Sequence, residues 1–430
     1  MAQVGFAPLI PVATASQLED QARKASLEEN NRPVIQGLAS HVRKRWETLR
    51  DYKNREITDR LLECHRARNM QYSPDKLAEI QSQGGSEIFM GIVSAKCRTA
   101  TAWLRDSMLG TGSDKPWSIS PTPIPDLPPH LIQELQGMMQ QQLMMFYEQG
   151  GEPVDPMQLR KMAEEMKDAA KRELKHEADK RVDRMEEKME DQLVEGGFIK
   201  AMHEFTDDIA TYPFAVLKGP APRKRKVMAY QPDGSVKLKD ETLDEYERVD
   251  PFKFYWAPWG DNTDEIPLIE IHALTRDDLQ SMLDVEGYSI DTINTLLADF
   301  GNSGASWLDG EIDKSDQVTG KDTDDGSEDV VDAIQLWDSV PGKELIEWGM
   351  SEEEITDPFK SYPVEVWLVK NLVIKAVLNY DPIGRKPYFV TSFEKVPGRL
   401  DGNGVSDLVM DAQNMCNAAA RSLANNMGIS

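Results

Sequence analysis

Apolar residues recur at helical spacing through the first quarter of the chain. Val34, Leu38, Val42 and Trp46 follow Pro33, which can open a helix because its missing N–H would have no partner there. Ile57, Leu61, Leu62, Cys64 and His65 predict a second, short helix. Gly84-Gly85-Ser86 interrupts the pattern, and Ser86 predicts an N-cap for a helix carrying Phe89, Val93, Cys97, Ala100, Leu104 and Met108 on one face. Pro121, Pro123, Pro125, Pro128 and Pro129 make 114–130 an extended connector. Leu131, Leu135, Met138, Met139, Leu143 and Phe146 mark the next helix, closed by Gly150-Gly151. From Asp155-Pro156 a stripe runs through Met162, Met166, Ala170, Leu174, Ala178, Val182, Met185, Met189 and Leu193 to Gly196-Gly197. That is a rod of about 40 residues, roughly 60 Å long at about 1.5 Å per residue. Lys, Arg, Glu and Asp fill its other faces, so it packs along one seam, on the Met-rich helix before it or on a neighbouring chain. Phe198, Ile199, Met202, Phe205 and Ile209 continue as a shorter helix.

Beyond Thr211 the pattern turns to strands. TYPFAVLKGP enters one, and the basic quartet Arg223 to Lys226 leads to a turn at Pro232-Asp233-Gly234. An acidic return, Asp240 to Glu247, predicts cross-strand charge pairing rather than a phosphate site. Phe252, Phe254, Tyr255, Trp256 and Trp259 lie beside prolines and strands, which predicts core rather than a base-stacking surface. Thr275 caps a short helix through Leu279, Met282 and Leu283, and another runs from Ser289 to Phe300. VVDAIQLWDSV, YPVEVWLV, LVIKAVLNY and PYFVTSFEKV predict an antiparallel sheet of at least three strands, with a turn at Lys370-Asn371. After the Asn403-Gly404 turn, Ser406 or Asp407 can cap a last helix. Leu408, Ala412, Met415, Cys416, Ala419 and Leu423 mark its buried face. The opposite face carries Asp411, Asn414, Asn417, Arg421, Asn425 and Asn426, amides more than charges, which suits a surface that meets protein or DNA. The sequence stops at Ser430 with no clear helix stop beyond Gly428, so it reads as a fragment.

The fold class is therefore α+β: a long helical hairpin plus a mixed or antiparallel sheet, leading into a C-terminal helix. The expected divisions are a mobile arm at 1–30, a helical region with its Pro-rich connector at 31–130, the helical hairpin at 131–212, a sheet domain at 213–400 and the last helix at 401–430. Within the sheet domain, 301–329 is an acidic, Gly/Ser-rich loop without the spacing of a calcium-binding loop. The basic residues Arg43, Lys44, Arg45, Arg50 and Lys53 are expected on a solvated helix face.

Net charge is −25 with a pI near 4.7, which argues against gripping nucleic acid by phosphate neutralisation. It does not exclude a protein that DNA slides past, and an acidic balance is common among soluble proteins, so charge alone decides little. The N-terminus lacks the basic start and unbroken apolar run of a signal peptide, and no window is apolar enough to span a membrane. Cys64, Cys97 and Cys416 are far apart and form no pair motif, so each is expected as a small buried or half-buried hydrophobe. No P-loop, GxSxG, HExxH or His/Cys set occurs, so no catalytic residue, cofactor or metal site is predicted.

The succession of an early helical pair and a longer helix within 32–110 carries a family resemblance, and three further stretches share it. They are TYPFAVLKGP after a helix, the aromatic run around Phe254-Tyr255, and PYFVTSFEKVPGRL followed by DGNGVSDL and a helix bearing Asp411, Gln413, Asn417, Arg421 and Asn425. In this order they resemble the portal, or head-to-tail connector, proteins of short-tailed bacteriophages, with Ala257-Pro258 standing where that family has Asp-Pro. The similarity extends over most of 35–430. It implies a structural, non-enzymatic virion protein. About twelve copies would form a closed ring at one capsid vertex. Double-stranded DNA would pass through the ring during packaging and ejection without tight binding. Implied partners are further copies of the chain, the major capsid protein, a separate terminase and a head-to-tail adaptor, with assembly in the host cytoplasm. The sheet domain and long helices would form the wing, and the helix from Val405 would lead into the stem. Asp411, Gln413, Asn417, Arg421 and Asn425 become subunit-interface or channel candidates, the alternative for them being a local polar network. Two other classes stay open: a neck, tail or scaffold protein without a channel, and an acidic DNA-processing enzyme.

Overall fold

The computed structural model describes residues 33–110, 117–122, 156–230, 236–300 except 284 and 286, 307–308, 330–350, and 355–429 except 380, 382 and 383, with single helical positions at 137, 141, 144 and 145. The expected arm, most of the Pro-rich connector, the Pro232-Asp233-Gly234 turn and nearly all of the acidic loop lie outside these residues. The described elements make a mixed α+β protein with antiparallel sheets and a long last helix.

The helices are α1 (Pro33–Glu56), α2 (Thr58–Arg68), α3 (Pro74–Ser82), α4 (Ile92–Leu109), α5 (Pro156–Glu195), α6 (Phe198–Thr211), α7 (Arg276–Met282), α8 (Ile290–Asp299), α9 (Gly342–Glu347) and α10 (Val405–Ile429). Strands β3 (Phe254–Trp256), β4 (Leu268–Thr275), β5 (Val330–Pro341), β6 (Ser361–Val369) and β7 (Leu372–Leu378) form an antiparallel meander in that order. The β6–β7 turn falls on Lys370-Asn371 as expected, with Lys370 in the left-handed region at φ 56°. A second sheet has the order β2-β1-β8, from β1 (Ala215–Tyr230), β2 (Val236–Val249) and β8 (Tyr388–Thr391). The segment PYFVT therefore does not extend the meander; it returns to pair with Ala215 to Lys218. In the β1–β2 hairpin Arg223 reaches Glu247 at 2.5 Å and Glu245 at 3.6 Å, a cross-strand charge pairing of the kind that the sequence predicts.

Two compact units are present, one of 1–107 with 197–430, the other of 108–196. The second contains α5. Its stripe of Met166, Ala170, Leu174, Ala178, Val182, Met189 and Leu193 is half-buried, while Met185 is exposed. The backbone N–H of Ile119 donates to Glu186 at 2.7 Å, so the segment 117–122 runs beside the rod.

In the first unit α1 and α2 lie on one face of the meander. Val42, Trp46, Leu49, Ile57 and Leu61 join Phe254, Trp256, Ile334, Leu336 and Val366 in the larger core. Because side chains alternate along a strand, Val331 and Ala333 face the other way, where α7 and α8 cover them with Leu279, Ile293 and Leu296. The basic side chains of α1 are only partly a solvated face: Lys44 is exposed and Arg50 pairs with the exposed Asp51, but Arg43, Arg45 and Lys53 turn to the sheet. Arg43 donates to the Lys370 carbonyl at 3.0 Å and lies over Trp307, and Arg45 binds Asp338 at 2.8 Å. Long stems can cover apolar surface while their heads find polar partners, and this is what places them here. Lys53 goes furthest. It is 2% exposed, and its Nζ donates to the carbonyls of Pro251, Phe252 and Phe254 at 2.8, 2.5 and 2.9 Å.

A buried polar network joins the two sheets. Lys218 on β1 donates to Glu270 on β4 at 2.6 Å and to Gln335 on β5 at 2.8 Å. The Tyr388 hydroxyl on β8 also donates to Glu270, at 2.6 Å, and His272 lies 3.3 Å from it. Gln335 then donates to Glu365 at 2.8 Å, which also accepts from Trp367 and Lys375. Burial raises the Glu270 carboxyl, but His272 and then Lys218 outweigh it and hold it below the usual carboxylate range.

Lys53→Met should cost about 3 kcal/mol in urea unfolding, since three buried carbonyls lose their donor. A change under about 0.5 kcal/mol would show that this ammonium holds nothing. The depressed Glu270 stabilises the fold fully above its unfolded value near 4.5, and this is lost as pH falls through the lower folded value. Glu270→Gln should therefore lose about 3–5 kcal/mol at pH 7 and show a flatter fall in stability on acidification than the parent, measured by denaturant midpoints at stepped pH.

Candidate functional site

The last helix begins at a tight junction. A Cβ on Gly404 would lie 2.5 Å from the Tyr212 carbonyl, so only glycine permits this approach. The Gly404 N–H donates to Asp407 Oδ2 at 2.8 Å, and Arg60 of α2 donates to Asp407 Oδ1 at 2.7 Å. The same guanidinium donates to the Gly402 carbonyl at 2.7 Å and to Asn403 at 2.8 Å, and reaches Asp401 at 3.4 Å. Cys97 Sγ lies 3.3 Å from Ser406 Oγ, and Cys64 Sγ lies 3.5 Å from Asp407. Burial pushes both thiols up, for Cys64 with the added field of Asp407, so they are inert packing groups, as expected of buried cysteines. Cys416 is half-buried.

From this junction α10 carries a ladder of polar side chains four residues apart. Gln413 is 1% exposed and Asn417 2%. Gln413 Oε1 accepts from the Val93 N–H at 3.0 Å, and its Nε2 donates to the Met90 carbonyl and, at 2.9 Å, to Asn417 Oδ1. That oxygen also accepts from the Met90 N–H at 2.8 Å. Asn425 Oδ1 accepts from the Ser86 N–H at 2.8 Å. Between them the Arg421 guanidinium sits 5.2 Å from the ring centre of Tyr72, whose hydroxyl donates to the Ile88 carbonyl at 2.6 Å. The ladder thus holds 85–91, a strap without regular structure between α3 and α4. Of the five sequence candidates, Gln413, Asn417, Arg421 and Asn425 are brought together on this strap, while Asp411 is exposed on another side of the helix.

The apolar stripe expected to be the buried face of α10 is largely exposed, while Gln413 and Asn417 are buried and Asp411, Asn414, Asn425 and Asn426 stay exposed. Leu408, Met415 and Leu423 are 53, 76 and 63% exposed, and Met427 is 71% exposed. Ala412 and Ala419 are exposed with them. The strap explains this. Its backbone N–H and C=O groups have no ladder of their own, and only side chains that both donate and accept can satisfy them. Gln413 and Asn417 turn inward for that reason, and the apolar stripe is left bare. Helix α4 starts at Ile92 rather than at Ser86, and α3, opened by Ser73 and Pro74, lies outside the helices that the periodicity predicts although Ser-Pro is an N-terminal signal.

Among the described residues no three His, Cys, Asp or Glu side chains gather as a metal set, and no helix is long and apolar enough to cross a membrane. No protein-family model matches the chain, and no curated protein matches it.

Asn417→Ala removes the acceptor of the Met90 N–H. It should cost about 1–2 kcal/mol and speed hydrogen exchange at Met90 and neighbouring strap amides by about tenfold, while the exposed Asn414→Ala leaves both unchanged. Equal exchange in the two variants would mean that the ladder does not hold the strap.

Proposed function

We propose that this chain is a ring-forming structural protein of the phage portal type. The observation that carries this is α10: one face is fixed to its own chain through amides, and the other leaves a bare stripe of Leu408, Ala412, Met415, Ala419, Leu423 and Met427. Such a stripe on a helix calls for a protein partner. The helix carries only Asp407, Asp411 and Arg421 as charges. Two of these are turned to the chain's own groups, so the bare side is nearly neutral and suits another copy of itself. The sequence resemblance supplies the rest of the reading: the sheets and α5 as the wing, α10 as the start of the stem, a capsid vertex as the place, and a terminase, an adaptor and the major capsid protein as partners. Double-stranded DNA would pass through the ring. With −25 per copy, a ring of this chain repels the phosphate backbone more than it binds it.

Native mass and electron-microscope class averages of the purified full-length protein test this. A closed ring of about twelve copies with a central hole is the expected result. A full-length monomer at micromolar concentration would sink the reading.

A further inference from the structure

The plate made by α10 and its strap has apolar side chains exposed on both sides. On one side is the stripe. On the other is the strap, with Ile88 and Met90 at 45 and 41% exposure and Met70, at 48%, lying with its sulfur against Gly91. The two sides are nearly opposite. Each ladder amide is followed two positions later by a stripe residue, Gln413 by Met415 and Asn417 by Ala419, a rotation of roughly 200° at about 100° per residue.

We propose that the bare stripe of α10 docks on the strap side of the next copy, around Met70, Ile88 and Met90, so that copies join head to tail through two different surfaces. This rests on the reading above that the chain assembles with copies of itself. Buried area per copy, rather than the size of a single contact, favours it over a two-fold pairing of stripes. A helix of 25 residues is about 37 Å long, and one face about 10 Å wide offers roughly 400 Å². That is about half of the ~800 Å² per partner of a stable interface, for a stripe-on-strap contact as for stripe on stripe, so a copy that makes two contacts covers about twice as much. A two-fold pair would use the stripe once and leave the strap patch bare. A head-to-tail array uses both surfaces of every copy, and such an array closes into a ring when the rotation allows.

The test places p-benzoylphenylalanine at Met415 in the full-length chain, mixes light and heavy isotope batches, isolates the assembly and irradiates it. The expected result is light-to-heavy cross-links from position 415 to peptides containing Met70, Ile88 or Met90. Cross-links to 405–429 of the other copy, or to neither region in an assembled ring, overturn the proposal and leave the ring reading standing. A full-length monomer removes both. Met90→Glu should lower the assembled fraction at least about tenfold, as Met415→Glu should, because either buries a carboxylate against apolar groups. Normal assembly of Met90→Glu would exclude the strap as the docking surface.

Discussion

A stretch of backbone without regular structure must still find partners for its N–H and C=O groups, and here the last helix supplies them. Gln413 and Asn417 give up nearly all solvent exposure to serve Met90 and Val93, and Asn425 reaches Ser86. The cost of leaving those groups unpaired is about 1–3 kcal/mol each, comparable with burying one large apolar side chain. That balance fixes which way α10 is rotated. Everything proposed about assembly depends on that rotation, because it sends the apolar residues outward.

The same rule recurs at each place where chain segments far apart in sequence meet. Lys53 serves three carbonyls around a single turn of 3-10 helix, Arg60 gathers the residues before α10, and Lys218 with Glu270 and Tyr388 ties the two sheets together. Asp208 of α6 accepts from Nε and Nη2 of Arg248 on β2, at 2.6 and 3.1 Å. Apolar packing gives these units their bulk. Polar groups that lack any alternative partner set how the pieces are aligned, since misplacing one strands a buried charge or carbonyl.

Much of the architecture was legible because it rests on local periodicity. The stripe of α5 and its glycine stop, the cap at Thr275, the β6–β7 turn and the buried aromatics at 252–256 are each written in adjacent residues, though Trp259, expected in the core with them, is 66% exposed. What was not legible depends on distant partners. Nothing near Tyr388 announces that its strand leaves the meander to join β1, and nothing near Lys53 reveals three carbonyls some two hundred residues away. The last helix shows the limit most clearly. Its periodicity gives the axis that separates two faces, but the choice of inner face belongs to the strap, whose demand is invisible in α10 itself. The portal resemblance rests on motifs and their order, and the fold seen here is α+β in the coarse sense only.

The close fit at Gly404 gives this molecule a pivot with no slack. The helix beyond it is a lever about 37 Å long, so a tilt of ten degrees at the junction would carry its far end roughly 6 Å sideways, about one helical turn. Crowding by a single methyl group beside the Tyr212 carbonyl is thereby magnified into a displacement larger than an atom at the opposite end. The angular precision of whatever α10 meets is set at its root by the residue that has no side chain to offer, together with the ladder that ties Gln413, Asn417 and Asn425 to the strap.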